Sequence, residues 1–321
     1  MNSNIIFNMK KFLLILMFIM ITGCAGSGPF TEKYIEHFQP PIVTDEYPDI
    51  PLGIYTLYNN VQMVGLDPMK PIIPSYGNKG KLLASWNPHP SGSANRTTIV
   101  MVHGGHGLVP NDFQNAIWAQ KQLGANVLVL DSFWSRGVQE NWKTYTRFGV
   151  NMRMLDAIAA AQWLRLQDID KDKIFLMGGS QGGWTALRTA TNEPFMQENV
   201  KGLYRAAISL YPVCTSSGTY DDPKLGPYII PAIVFTGGKD TGTDYRRCPA
   251  DVFNSATKWI HYKDATHAWD SANRGAGRDP VDKECSRANN IYNRFAICRD
   301  NTATEDMYEK IKAFVLETLK H

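Results

Sequence analysis

Seven short apolar runs, at residues 81–86, 97–102, 126–130, 173–177, 206–210, 232–236 and 258–262, recur along the chain with helix-compatible segments between them. The middle five are filled mostly by Val, Ile, Leu, Phe, Met and Ala with little polar alternation, the pattern of strands buried on both faces. The run at 81–86 is weaker and reads as an edge strand. Helix-like segments lie at 111–123, 152–166, 180–190 and 249–255, with 306–319 last. Strand and helix in alternation imply an α/β architecture, a mostly parallel sheet with helices on both faces. In open sheets of this kind ligands bind beyond the carboxyl ends of the strands, so functional side chains are expected in the loops that follow the runs.

The run 173–177 leads into Gly178-Gly179-Ser180-Gln181-Gly182-Gly183-Trp184. Gly178, Ser180 and Gly182 form G-x-S-x-G, the spacing of a strand-to-helix corner so sharp that side chains flanking the serine would clash. The same residues would serve a glycine-rich turn that merely packs a helix closely on a strand. Chemistry requires partners, because a serine hydroxyl needs a general base oriented by a carboxylate. Downstream histidines are His261, His267 and His321. His261 falls inside a strand run and His321 ends the chain, whereas His267 lies in the loop after the last run. Asp240 follows the run 232–236 and Gly237-Gly238. Its rivals are Asp244, further along the same loop, and Asp264, which is too close in sequence to His267 for an easy angle. The order Ser180, Asp240, His267 is nucleophile, acid, base. Attack on a carbonyl also needs donors for the oxyanion. The run 97–102 is followed by His103-Gly104-Gly105-His106-Gly107, which points to the backbone amides of Gly105 and Gln181. His103 and His106 are read as shaping that turn; no metal or cofactor is expected.

The N-terminus has a different character. Lys10-Lys11 precede an apolar stretch from Phe12 to Ile21, too short to span a bilayer comfortably and laid out like a signal peptide. Ile21-Thr22-Gly23-Cys24 resembles a bacterial lipobox, which implies cleavage after residue 23, acylation of Cys24 and attachment to a membrane through that lipid anchor. Ala25-Gly26, with no Asp beside the cysteine, resembles outer-membrane sorting, so the protein is expected to be an exported cell-envelope lipoprotein. Residues 24–80, rich in Pro and Tyr, read as an anchor and wrapping segment, and 81–321 as the catalytic domain. Loss of residues 1–23 removes Lys10 and Lys11 and no acid, taking the net charge from +3 to +1. That balance, without a basic run, gives no footprint for nucleic acid and favours a small-molecule partner. Cys214, Cys248, Cys285 and Cys298 show no metal spacing. In an oxidising compartment they are expected to form disulfides, with three pairings open.

Taken together, MVHGGHGL, VLVLDSFWSRGV, LDAIAAAQWL, FLMGGSQGGW, FTGGKD and YKDATHAW, from about residue 81 onward, resemble the dienelactone hydrolase family of the α/β-hydrolases. The resemblance implies the α/β-hydrolase fold and cleavage of carboxylic esters, or of lactones or thioesters. The founding enzyme of that family has a cysteine nucleophile and a glutamate where this chain has Gly104. Ser180 therefore points to a serine esterase rather than to hydrolysis of dienelactone. Cys214 and Cys248 resemble paired cysteines of exported family members, which leaves Cys285 to pair with Cys298. Asp131 and Arg136 are expected to pair and hold their loop; Trp134, Trp184 and Trp269 are candidates for pocket lining or for core. The stretch 211–231 has no helical apolar period, so no large lid is expected, and short-chain esters should be preferred. Segment 270–304, braced by Cys285 and Cys298, or the N-terminal wrap, is the candidate for covering the mouth. A peptidase or acyltransferase on the same triad, or an envelope protein that binds without turnover, are the rival readings.

Overall fold

The computed structural model describes residues 66–67, 69–75, 80–136, 150–192, 194–214, 225–271, 285–289 and 294–321. The signal segment, Cys24 and most of the wrapping segment lie outside these residues. Eight strands form the main sheet: β1 (Lys70–Pro74), β2 (Lys81–Asn87), β3 (Thr98–Val102), β4 (Asn126–Asp131), β5 (Ile174–Gly179), β6 (Ala206–Leu210), β7 (Ala232–Gly237) and β8 (Lys258–Tyr262). Their order is β1-β2-β4-β3-β5-β6-β7-β8. Neighbours from β4 to β8 are parallel, and β1 and β2 add two antiparallel strands at one edge.

Burial on both faces explains the unbroken apolar runs. Val100, Val102, Leu128, Leu130, Leu176 and Val234 face one core, shared with α2 (Val150–Leu164) and α3 (Gln181–Ala190). Ile99, Met101, Val127, Val129, Phe175 and Phe235 face the other, shared with α1 (Pro110–Gln122) and α6 (Asn301–Thr318). Each fully buried side chain of this kind contributes ~1.5–3 kcal/mol, so the alternation within each strand anchors it from both sides. Local chemistry sets the helix starts. Pro110 opens α1, and the Asp112 carboxylate accepts from the Val109 amide at 2.8 Å. Asp300 caps α6 through the Ala303 amide at 2.9 Å. Two short helices, α4 (Pro194–Asn199) and α5 (Ala250–Asn254), complete the connections. No helix among the described residues is long and apolar enough to cross a membrane.

The structure departs from the sequence reading at three places. The sheet starts at Lys70, not at residue 81: β1 pairs with β2 from inside the segment read as a wrap. Residues Cys285–Asn289 (β9) and Arg294–Cys298 (β10) form a separate antiparallel hairpin where no strand was expected. Arg136 does not pair with Asp131. It makes two bonds to Asp156 on α2, at 2.7 and 2.8 Å, while Asp131 accepts from the Phe133 and Trp134 amides at 2.7 and 2.9 Å. A bidentate guanidinium–carboxylate pair is the stronger arrangement for a buried arginine, and Asp131 is occupied by the turn it closes.

Candidate active site

Ser180 stands between the end of β5 and the first residue of α3, with φ 57° and ψ −118°. A backbone in that region persists only where its surroundings impose it. Here the imposing feature is close packing. A Cβ at Gly178 would meet Gly182 and Val102, and one at Gly182 would run into the carbonyl oxygens of Val102 and His103. The Ser180 amide donates to Leu210 O at 2.9 Å, which fixes the corner to β6.

His267, in the loop after β8, places Nε2 3.1 Å from Ser180 Oγ and Nδ1 2.9 Å from Asp240 Oδ2. With the carboxylate accepting from Nδ1–H, Nε2 is left as the acceptor for the serine hydroxyl. Asp240 is held in turn by the Gly242 and Thr243 amides, both at 2.8 Å, and by the Thr243 hydroxyl at 2.7 Å. Burial alone would raise the Asp240 carboxyl, but His267 and the Thr243 bonds carry it below the ordinary carboxylate value. The rival acids are engaged elsewhere: Asp244 with Arg246 at 2.8 Å and Asp264 with Lys239 at 2.7 Å, both at the surface. His261 Nδ1 meets Thr236 Oγ1 at 3.0 Å within the edge strand. Thr243 was not singled out by sequence reasoning, and a hydroxyl three residues after the acid is the signal that would have found it.

The loop after β3 brings Gly105 beside Gln181, close enough that a Cβ at Gly105 would collide with the Gln181 side chain. Gln181 is also the first residue of α3, where backbone amides have no partner within the helix. His103 shapes this turn: its Nε2 accepts from the Ser132 amide at 3.1 Å and its Nδ1 lies 2.7 Å from Gly104 O. Burial, with Arg153 nearby, holds the imidazole well below its usual pKa and hence neutral. Arg153, which the sequence reading passed over, donates to the His103 carbonyl and reaches Gln181 Oε1 at 3.5 Å. A lone cation on the apolar, alanine-rich helix α2 was the available signal. Among the described residues no cluster of His, Cys, Asp and Glu could hold a metal ion.

Ser180 and His267 open onto a cleft of about 60 Å³, also lined by Gly104, Gly105, Tyr211 and Ile297. A larger hollow, about 520 Å³, lies away from Ser180 and His267, between Lys171, Arg205 and His321. Trp134, Trp184 and Trp269 are core residues, 4%, 5% and 0% exposed, and none lines the cleft. Cys214 is bonded to Cys248 and Cys285 to Cys298. The second bond closes the β9–β10 hairpin, which packs Phe295 edge-on to His267 at 5.1 Å. The Cys298 amide donates to Thr266 Oγ1 at 2.7 Å, tying the hairpin to the base loop.

Known proteins share this architecture. A structure from Klebsiella pneumoniae subsp. pneumoniae MGH 78578 described as a dienelactone hydrolase superposes with a TM-score of 0.57 at 13% identity, covering 76% of this chain and 97% of that one. Esterase 2 of Thermogutta terrifontis, phosphoramylated by tabun, gives 0.55 at 17% identity, with 79% and 94% covered. Its butyrate-bound form gives 0.54 at 17%, with 79% and 95% covered. The chain has the α/β-hydrolase fold. Residues 111–264, just under half of the chain, match the Prolyl oligopeptidase family (Peptidase_S9). No curated protein matches the sequence significantly.

Proposed function

We propose that this α/β-hydrolase is a serine esterase that cleaves carboxylic esters of small acids through an acyl-enzyme on Ser180. The observation that carries the reading is the relay Ser180 Oγ–His267 Nε2–Asp240, with contacts of 3.1 and 2.9 Å. His267 takes the serine proton as Oγ attacks the ester carbonyl, and the amides of Gly105 and Gln181 receive the oxyanion. The imidazolium then protonates the departing alcohol. Water, deprotonated by His267, attacks the acyl group and frees the acid and Ser180. Asp240 stays ionised throughout and holds the imidazole in the tautomer that leaves Nε2 free to accept. Short acyl groups fit the small cleft, in keeping with butyrate- and propionate-bound forms of the Thermogutta esterase. The lipobox at Cys24 supports an exported, membrane-anchored location for the chemistry.

A second reading, peptide-bond cleavage on the same triad, is favoured by the match to the Prolyl oligopeptidase family. One experiment tests both. A fluorophosphonate should label the folded protein at Ser180, as paraoxon phosphorylates the Thermogutta enzyme. Ser180→Ala should abolish labelling and lower turnover by about a millionfold while the protein stays folded. A folded wild-type protein that resists the probe would overturn the hydrolase reading. Nitrophenyl esters of increasing acyl length and matched anilides would then separate the two: faster turnover of anilides would favour the peptidase.

A further inference from the structure

Among the described residues three that are not glycine adopt a left-handed φ: Ser180 at 57°, Tyr211 at 36° and Ala268 at 48°. All three line the cleft. Strain at Ser180 belongs to the elbow. Tyr211 directly follows β6, and Ala268 directly follows the base. The loop of residues 267–271 therefore needs something that holds it in an unfavourable conformation.

Asp270 supplies it. The carboxylate is 3% exposed and accepts from the Tyr211 hydroxyl at 2.7 Å, Asn111 Nδ2 at 3.0 Å and Asn115 Nδ2 at 3.1 Å. Those donors come from the end of β6 and from α1, the helix that follows the loop carrying Gly105. The Tyr308 hydroxyl on α6 donates to Asn115 Oδ1 at 2.6 Å and orients that amide. All three donors to Asp270 are neutral side chains, and each aims an N–H or O–H at its carboxyl oxygens. A buried carboxylate deprived of a donor costs more than the bond itself, so the set acts as a unit. Tyr211 extends it. Its ring lies edge-on to His267 at 5.1 Å and to Trp269 at 5.0 Å, and its carbonyl oxygen lies 3.0 Å from Thr243 Oγ1, the hydroxyl that also reaches Asp240. Burial and the neighbouring Asp270 push the Tyr211 hydroxyl well above its ordinary pKa, which keeps it a donor.

We propose that Asp270 is a positioning residue for the general base: through Tyr211, Asn111 and Asn115 its carboxylate fixes the His267 loop to the strand end beside Ser180 and to the helix behind the oxyanion loop. The proposal rests on the serine-hydrolase reading for its effect on turnover, though not for its effect on the histidine. Asp270 touches no reacting atom, so its loss should act on kcat and spare KM.

The test compares wild type, Asp270→Asn, Tyr211→Phe and the exchanged pair Asn111→Asp/Asp270→Asn on a short nitrophenyl ester. The downfield NMR resonance of His267 Nδ1–H is recorded for each, and fluorophosphonate labelling of Ser180 serves as the control. Asp270→Asn should lower kcat by about 10- to 100-fold, the penalty of a misplaced catalytic group, with KM within about twofold, and should broaden the resonance. The exchanged pair restores a donor facing a carboxylate and should recover most of kcat and the sharp resonance. A folded Asp270→Asn protein with wild-type kcat, or with reduced kcat and an unchanged resonance, overturns the proposal. Should Asp270→Asn fail to fold, Tyr211→Phe removes a single hydroxyl and decides: loss of kcat with a broadened resonance supports the bracket, and wild-type values refute it. Should wild type resist the fluorophosphonate, the hydrolase reading fails, and the resonance alone still judges the positioning of His267.

Discussion

At Arg153 a positive charge is buried behind the loop that carries Gly105, 1% exposed, with a guanidinium that grips the His103 carbonyl and the Gln181 side chain. Burial lowers its pKa to about 10, so it remains charged at neutral pH. Gln181 carries one of the donors proposed for the oxyanion and His103 lies two residues before the other, Gly105, which makes Arg153 a support for the hole rather than a contact to substrate. Arg153→Lys keeps the charge but replaces a rigid planar fork by a point cation without its fixed donor geometry. Its kcat on a short ester should fall by about 10-fold with KM little changed, less than the 10²–10³ that follows loss of an oxyanion donor itself. Steady-state kinetics on the folded variant check this, and an unaltered kcat would assign Arg153 to packing alone. That Ser180, Asp240 and His267 come together was legible in sequence because each follows a strand run and each belongs to a short pattern with few substitutes. Arg153 and Thr243 left only faint signals, a lone cation on α2 and a hydroxyl near Asp240, and Asp270 left none, because their contacts arise from approaches between segments far apart in sequence or, for Thr243, from the conformation of its loop.

Helix α1 begins with a carboxyl group in an unfavourable place. Asp112 accepts from the Val109 amide, but burial pushes it up from 3.8 to about 7, with Asp270 and Asp131 adding to the rise and the Val109 bond and Arg153 opposing it. The sign follows directly. Between about pH 4 and 7 the folded state keeps a proton that the unfolded chain has released, so this group's contribution falls as pH rises. Asp112 is only half-buried and borders the cleft, so solvent screening should hold the effect to ~1–2 kcal/mol. Asp112→Asn retains an oxygen for the Val109 amide and cannot ionise. Its stability relative to wild type, measured by urea unfolding, should improve from pH 5 to pH 8; a difference equal at both pH values would mean that Asp112 does not titrate in this interval. Elements buried on both faces announced themselves as apolar runs, and β3 to β8 lie within a few residues of where composition placed them. The β9–β10 hairpin was hidden because CSRAN and RFAIC lack strand periodicity and are joined by a disulfide. Segment 270–304 was recognised as a candidate cover, and its Phe295 and Ile297 do reach His267 and the cleft.

Across the described residues the eight-stranded sheet carries a large core on each face, and its antiparallel edge shows where sequence reading fell short. KPIIP is bracketed by prolines, which argue against a strand except at an edge, and β1 occupies that position. Residues ahead of Lys81 contribute to both cores: Ile73, fully buried, joins the face under α2, and Leu66, 3% exposed, joins the face under α1 and α6. The Asp67 amide donates to Asn87 Oδ1 at 2.5 Å and its carbonyl accepts from Ser85, so the chain is stitched across β2 before β1 begins. Burial of those two side chains is worth ~3–6 kcal/mol, a large share of the 5–15 kcal/mol that separates a typical folded domain from its unfolded state. Without β1, the strand β2 would also present unpaired backbone along a row that includes buried Leu82 and Ala84, a template for association between chains. A fragment starting at Lys81 should therefore unfold at markedly lower urea concentration than one starting at Leu66 and should aggregate at concentrations where the longer fragment stays dispersed. Unfolding curves and light scattering on the two fragments decide the point: equal midpoints and equal dispersity would mean that β1 only decorates an edge that β2 can close alone.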